Sequence, residues 1–445
     1  MMLRLYSWLM FVLQPLLRLK LWQRAKREPG YALAVPERFA YYDARVHALC
    51  QPDHAGVKPG FVWLHVVSLG ETRASAVLIE SLRQQWPAMR LLLTHGTATG
   101  RAQGATLLRV GDVQVWLPWD GVAPVQRFLQ QFHPRIGLLF ETEVWPNLLD
   151  QCAKAAVPLC LVNARFSEKS MRKALRWQAL AKPAYSQLAA VWAQSQADAQ
   201  RLGSLGAPVR GIFGNIKFDN APDANQLVQA RQWRQTCPKP VLMFASSREG
   251  EEQMWLDIYM KKRALALAKP AQIAIKNEAE AVQWLIVPRH PQRFDAVAQM
   301  LQAQGLVVSR RSSWREQPEP ADVWLGDTLG DMALYFGLAD AALLGGSFAP
   351  LGGQNLIEAA ACGCPVLMGP HTFNFSEAAQ LAQHAGAAFA LDDMAHAWDR
   401  ALTLVQNPQD LALARQAASK LSETHRGAAQ RTVQALACLP AMAGA

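Results

Sequence analysis

Short apolar runs, each closed by a polar or glycine loop and followed by a stretch of helical spacing, recur along most of this chain. Phe61–Val67 reads as a buried strand ending at Ser68-Leu69-Gly70, Ala74–Gln85 as a helix, and Met89–Thr94 as a strand entering a Thr/Gly loop. Val113–Leu117, Ile136–Phe140, Pro158–Val162, Val191–Ala193 and Val209–Phe213 read as further strands, with a helix over Pro124–Gln131. The rhythm restarts after Gly211–Pro222, with strands predicted at Pro240–Ala245, Trp284–Val287, Leu306–Val308, Val323–Leu325, Ala341–Leu344 and Pro365–Met368. Glu249-Gly250-Glu251-Glu252 reads as an acidic helix start. Strands alternating with helices in this way predict parallel sheets.

The pattern divides the chain into an N-terminal helical segment 1–28, a Rossmann-like domain 29–213, a linker 214–222, a second Rossmann-like domain 223–409 and a C-terminal helical stretch 410–445. A polar link over residues 51–60 precedes the first strand. Asp410–Leu439 has few breakers and is expected to cross back to the first domain. Open parallel sheets bind ligands beyond the carboxyl ends of their strands, so a ligand cleft is expected where two such halves face each other.

Composition changes this picture at the N-terminus. Leu5–Leu17 is mostly apolar, carries Tyr6 and Trp8, and is surrounded by Arg4, Arg18, Lys20, Arg24, Lys26 and Arg27. A membrane span needs about 20 apolar residues, and Pro15, Arg18 and Lys20 interrupt this run. No small-residue cleavage site follows it, so a short membrane anchor or interfacial helix is expected, basic flank on the cytoplasmic leaflet. The alternative is a helix packed on the protein itself. The net charge of +10 favours anionic partners. Seven cysteines without a Cys-x-x-Cys pair offer neither a zinc spacing nor a disulfide framework.

Several clusters at strand ends can carry chemistry. Glu71, after Gly70 at the close of a buried strand, can accept a proton from an attacking hydroxyl, or cap its helix. Glu141 and Glu143 follow an apolar strand, where carboxylates need partners. Lys217 lies in Gly214-Asn215-Ile216-Lys217-Phe218-Asp219 at the domain junction. In the second half, Pro288-Arg289-His290 puts an arginine at a strand end, suited to phosphate. Gly326-Asp327-Thr328-Leu329-Gly330-Asp331, Gly345-Gly346-Ser347 and Asn355-Leu356-Ile357-Glu358 supply glycine loops and helix starts whose N–H groups can approach phosphate, with Glu358 free for a ribose. No Walker or G-x-G-x-x-G pattern occurs, which disfavours ATPase and NAD readings. Two Rossmann-like halves, a nucleotide loop set in one and a carboxylate in the other, make the GT-B arrangement of sugar transferases.

Read together, these motifs resemble the Kdo (3-deoxy-D-manno-octulosonic acid) transferases of lipopolysaccharide synthesis. The likeness runs through His65-x-x-Ser68-x-Gly70-Glu71, Thr94-x-x-Thr97-x-Thr99-Gly100, Pro118-x-Asp120, Glu141-Thr142-Glu143-x-Trp145-Pro146-Asn147 and Asn163-Ala164-Arg165-x-Ser167. It continues through Gly214-Asn215-x-Lys217-Phe218-Asp219, Pro288-Arg289-His290-Pro291-x-Arg293-Phe294, Gly326-Asp327-Thr328-x-Gly330, Gly345-Gly346-Ser347 and Gly369-Pro370-His371-Thr372-Phe373-Asn374-Phe375. The resemblance implies an inverting transfer of Kdo from CMP-Kdo to a lipid A precursor (lipid IVA), without metal or other cofactor, on the cytoplasmic face of the inner membrane. It implies Glu71 as general base, Glu141 and Lys217 as transition-state stabilisers, and CMP bound by Pro288, Arg289, Leu329, Gly330, Asp331, Asn355, Leu356, Ile357 and Glu358. Gln354, Arg248, Asp331 and Ala359 depart from the family pattern and bear on donor binding. Another GT-B sugar transferase or epimerase is the alternative enzyme. A basic nucleic-acid-binding protein is the non-enzymatic alternative, but no nucleic-acid module is present and no nucleic-acid partner is expected.

Overall fold

The computed structural model describes residues 1–51, 60–219, 221–267 and 281–443. Most of the polar link 51–60, Asn220 of the expected linker and the last two residues of the stretch 410–445 lie outside them. The chain forms two compact units, Met1–Asp219 with His425–Ala445, and Asn220–Thr424.

The first unit holds strands β1 (Val62–Val66), β2 (Leu91–His95), β3 (Val113–Trp116), β4 (Ile136–Phe140), β5 (Leu159–Ala164), β6 (Ala190–Ala193) and β7 (Val209–Ile212). They form one parallel sheet in the order β3-β2-β1-β4-β5-β6-β7. β1, β2, β4 and β5 are buried along their whole length, as strands covered on both faces must be. Leu64, Leu93, Leu138 and Val162 enter one apolar core, Trp63, Leu92, Leu139 and Leu161 the other. Strand order reverses between β1 and β4, so the loops carrying Glu71 and Glu141 are the ones that leave the sheet at its switch point.

The second unit holds β8 (Val241–Ser247), β9 (Gln283–Pro288), β10 (Val308–Arg310), β11 (Val323–Leu325), β12 (Ala341–Leu344), β13 (Val366–Met368) and β14 (Ala388–Ala390). Their parallel order is β10-β11-β9-β8-β12-β13-β14, and β8 and β12 flank its switch point. Strand β14 is three residues long and only partly buried, and was not expected.

The C-terminal stretch is two helices rather than one. Pro408–His425 ends before Gly427, which takes a left-handed φ of 81°, and Ala428–Ala437 follows. The second of these helices packs in the first unit, where the Asp219 carboxylate accepts the Ala428 and Ala429 N–H groups at 3.1 and 2.6 Å. Phe218 stacks on His425 at 4.8 Å between ring centroids. Those contacts draw Gly214–Asp219, expected in the linker, into the first unit.

At the N-terminus, helices Met2–Val12 and Gln14–Arg27 meet at Leu13. Among the described residues no helix is long and apolar enough to cross a membrane. Leu5, Trp8, Leu9, Phe11, Val12, Leu16, Leu19 and Trp22 are exposed. The other side is docked: Arg18 lies over the Phe39 ring and Arg24 over Tyr31, with the guanidinium carbons 4.4 and 4.9 Å from the ring centres.

Candidate functional site

Glu71 stands in the first turn of helix Leu69–Gln85. Ser68 caps that helix, accepting the Glu71 N–H at 3.3 Å, while Glu71 Oε1 accepts the Ser68 hydroxyl at 2.8 Å and Oε2 accepts the Val67 N–H at 2.9 Å. This resembles a capping box, with the N–H of Val67 in place of that of Ser68. The side chain expected as a base thus also takes part in the cap. Burial first, then the Glu141 charge, pushes the Glu71 carboxyl up to about 7. A carboxyl in that range exchanges protons at neutral pH.

Glu141 closes β4 with φ +64°, a left-handed conformation that costs a non-glycine residue about 1–3 kcal/mol. Its Oε1 accepts Lys217 Nζ–H at 2.8 Å. Lys217 is placed by two asparagines that the sequence pattern did not single out for a role. Asn163, itself left-handed at φ +49°, accepts the Ile216 N–H at 3.0 Å, and Asn215 accepts the Lys217 N–H at 3.0 Å. Glu143 accepts Trp145 Nε1–H at 3.0 Å, and burial raises its carboxyl. His65 takes no part: it is buried beside Thr94, and desolvation lowers it to about 3, so it stays neutral.

In the second unit, Arg289 is exposed beyond β9, its N–H donating to Ser247 O at 2.9 Å. Burial raises the Glu358 carboxyl and the Arg289 charge pulls it down, so the two groups share one neighbourhood. Asn355 accepts the Ile357 N–H at 3.1 Å at the start of the short helix Ile357–Ala361. Pro288, Leu356 and Ile357 are buried, which leaves their backbone as what they can offer a ligand. Leu329 and Gly330 are exposed, the glycine at φ +89°. Asp331 accepts the Thr328 hydroxyl at 2.7 Å and pairs with Arg311 at 3.2 Å.

The loop Gly345-Gly346-Ser347 differs from the sequence reading. Glu251, fully buried, accepts four backbone N–H groups: Arg248 and Gly346 at 3.0 and 2.7 Å on Oε2, Phe348 and Ala349 both at 3.1 Å on Oε1. Of the loop amides expected to approach phosphate, that of Gly346 is therefore bound to the protein's own carboxylate, and that of Gly345 donates to Ala245 O at 2.8 Å. The glycines still matter, because a Cβ at Gly345 would stand 2.2 Å from Ser246 O. The sequence signal for Glu251 was the acidic segment Glu249-Gly250-Glu251-Glu252, read only as a helix start. Among the described residues no group of three or more His, Cys, Asp and Glu side chains is arranged to hold a metal ion.

Comparison with known proteins fits this layout. A family model described as 3-deoxy-D-manno-octulosonic-acid transferase matches residues 34–220. A 3-deoxy-D-manno-octulosonic acid transferase of Bordetella pertussis is 44% identical over 434 residues, covering 95% of this chain and 96% of the relative. Its counterpart in Haemophilus influenzae is 30% identical over 411 residues, with 91% of each chain covered. The crystal structure of MurG from Acinetobacter baumannii superposes with a TM-score of 0.53 at 13% identity, over 86% of this chain and 100% of that one, a likeness of fold alone. The fold is that of the GT-B proteins. The chain belongs to the 3-deoxy-D-manno-octulosonic acid (Kdo) transferase family and is a glycosyltransferase.

Proposed function

We propose that the chain transfers Kdo with inversion from CMP-Kdo to a sugar hydroxyl of a lipid A precursor, lipid IVA, in lipopolysaccharide core synthesis. The observation that carries this reading is the Glu71 carboxyl, half-buried and raised to about 7 beside the Glu141–Lys217 pair at the switch point of the first sheet. A hydroxyl is a poor nucleophile at neutral pH and needs a base within hydrogen-bond reach. Glu71 takes the hydroxyl proton, the oxygen bonds to the anomeric carbon of Kdo, and the bond from that carbon to the CMP phosphate breaks. Lys217, oriented by Glu141, stabilises the negative charge that develops as CMP leaves. Arg289 binds the donor phosphate, with Glu358 and Asn355 on its nucleoside and the Leu329–Asp331 loop beside it.

The test is incubation of the protein with CMP-Kdo and a tetra-acylated lipid A precursor, followed by mass spectrometry of the lipid. Mass increments of whole Kdo residues with matching CMP release are expected. A folded protein that adds none, or that uses a uridine-diphosphate sugar instead, overturns the reading.

The N-terminal helices add a location. Their exposed apolar residues beside Arg18, Lys20, Arg24, Lys26 and Arg27 suit an interfacial helix on an anionic membrane surface, at the cytoplasmic face of the inner membrane. Sedimentation with anionic vesicles that survives both 1 M salt and loss of residues 1–27 would place the anchor elsewhere.

A further inference from the structure

Helix Met2–Val12 has two distinct faces. Met2, Leu3, Tyr6, Ser7 and Met10, spaced by three and four residues, are half-buried, whereas Leu5, Trp8, Leu9, Phe11 and Val12 are exposed. The docked face carries two polar groups: one reaches the helix Pro146–Lys154 directly, the other reaches the aspartate that caps it. Tyr6 Oη–H donates to Asp120 Oδ2 at 2.8 Å, and Ser7 Oγ–H donates to Asn147 Oδ1 at 2.6 Å.

Asp120, 5% exposed, serves helix Pro146–Lys154 as a cap supplied from another loop. That helix starts at Trp145 and has no side-chain cap of its own. The Asp120 carboxylate accepts the Asn147 N–H at 3.1 Å and the Leu148 N–H at 2.8 Å, and its carbonyl accepts Asn147 Nδ2–H at 2.7 Å. Directly before this helix run Glu141, in its left-handed conformation, and Glu143, held by Trp145 Nε1. A buried carboxylate needs each of its donors. Tyr6 supplies one that neither the loop nor the capped helix provides.

We propose that Tyr6 and Ser7 are positioning residues for transfer: through Asp120 and Asn147 they fix the start of helix Pro146–Lys154 and so the Glu141–Trp145 loop. The inference rests on the reading that this loop takes part in Kdo transfer. It makes helix Met2–Val12 part of the site's framework as well as its outward apolar face. A helix that served only as an anchor would need no hydrogen bonds to the caps of the catalytic loop.

The experiment compares the full-length parent with Y6F/S7A, L9S/F11S and Glu71→Gln, using CMP-Kdo and detergent-dispersed tetra-acylated lipid A precursor. For Y6F/S7A, kcat is expected to fall roughly tenfold while KM for both substrates stays within about twofold. Sedimentation with anionic vesicles should be kept by Y6F/S7A and lost by L9S/F11S. A second readout is the pH profile. The Glu141 and Glu143 charges raise Glu71, so a loop that drifts from Glu71 moves the acidic limb of kcat to lower pH. Lys217, paired with Glu141, is the cation in that neighbourhood. If the double variant loses its thermal transition, Tyr6→Phe alone, which removes one oxygen, is measured the same way. Parental kcat and an unmoved acidic limb in a folded variant overturn the proposal. If Glu71→Gln abolishes transfer in that same assay, the catalytic reading survives and this inference alone fails; if Glu71→Gln transfers normally, the catalytic reading itself fails.

Discussion

The two sheets place a glutamate at the same topological position and use it in opposite ways. Glu251, after β8, is fully buried, and its carboxylate is consumed by four backbone N–H groups. Glu71, after β1, receives one backbone N–H and one hydroxyl, and the Glu141 carboxylate raises it further. Elsewhere each unit carries both kinds of acid: burial raises Glu252 and Glu358 in the second, and Asp112 of the first is satisfied by Arg83 and two backbone N–H groups. In the second unit Asp340 binds Arg234, Arg415 and the Val241 N–H, and Asp327 binds Arg310 and Ser312. In the first, Glu71 and Glu143 both have raised carboxyls close to Glu141. A saturated carboxylate is a fixed part of a scaffold, and an under-saturated one near a like charge is a group that exchanges protons. The two glutamates thus differ in what they can do: Glu251 holds a loop in shape, and Glu71 can exchange a proton at neutral pH.

The largest expected effect is at the glutamate that exchanges a proton. Glu71→Gln keeps the size, and its amide oxygen can still accept the Val67 N–H, but its NH2 can accept neither a hydrogen bond nor a proton, so turnover should drop about 10²–10⁴-fold with CMP binding unchanged. Transfer assays and calorimetry on one preparation check both halves. Near-parental turnover would reduce Glu71 to its capping role.

Glu251→Gln attacks the glutamate that holds the loop and should read out as stability and donor binding rather than chemistry. An amide presents its own NH2 to N–H groups that a carboxylate satisfied, at a cost of about 2–3 kcal/mol. Urea unfolding should show that loss, and KM for CMP-Kdo should rise with little change in kcat. A stable variant with normal KM would mean that the glycine loop holds its shape without Glu251. A smaller change is expected from Arg289→Ala, which removes an exposed cation. CMP affinity should weaken roughly tenfold, the lower end of a charge-assisted contact, and unchanged affinity would move the phosphate away from β9.

The strands were legible because buried parallel strands leave continuous apolar runs: Ile136–Phe140, Val323–Leu325 and Ala341–Leu344 match their predicted limits. β14 was not, since Ala388-Phe389-Ala390 is too short and too exposed for a periodic signal. The break at Gly427 was missed because one glycine in a helical pattern is ambiguous until its φ is known. Glu71, Glu141 and Lys217 could be found as strand-end and junction residues. What the sequence could not show is pairing across distance. Lys217 meets Glu141 across 76 positions, and Tyr6 meets Asp120 across 114. Nor could spacing reveal that Glu251 already occupied the Gly346 amide of the glycine loop and the two that follow the loop.

The smallest effect sharpens the comparison through pH. In the unfolded chain Glu71 titrates near its ordinary 4.5, and in the folded protein near 7. Between those values the folded state holds a proton that the unfolded state has lost, so this group's contribution falls as pH rises through the window and levels off above it. Glu71→Gln removes the titration. Its stability relative to the parent should therefore climb from pH 4.5 to 7 and then stay level, by something on the order of 1–2 kcal/mol. Thermal unfolding across pH 4 to 9 measures the gap. The parent's kcat/KM should rise over the same upper range, because only ionised Glu71 can accept the hydroxyl proton. A Glu251→Gln series should show no such coincidence between a stability slope and an activity limb. If the Glu71→Gln gap were flat with pH while turnover still collapsed, Glu71 would be the base but its carboxyl would not be raised by folding. A slope in stability without a matching activity limb would leave proton transfer to another group.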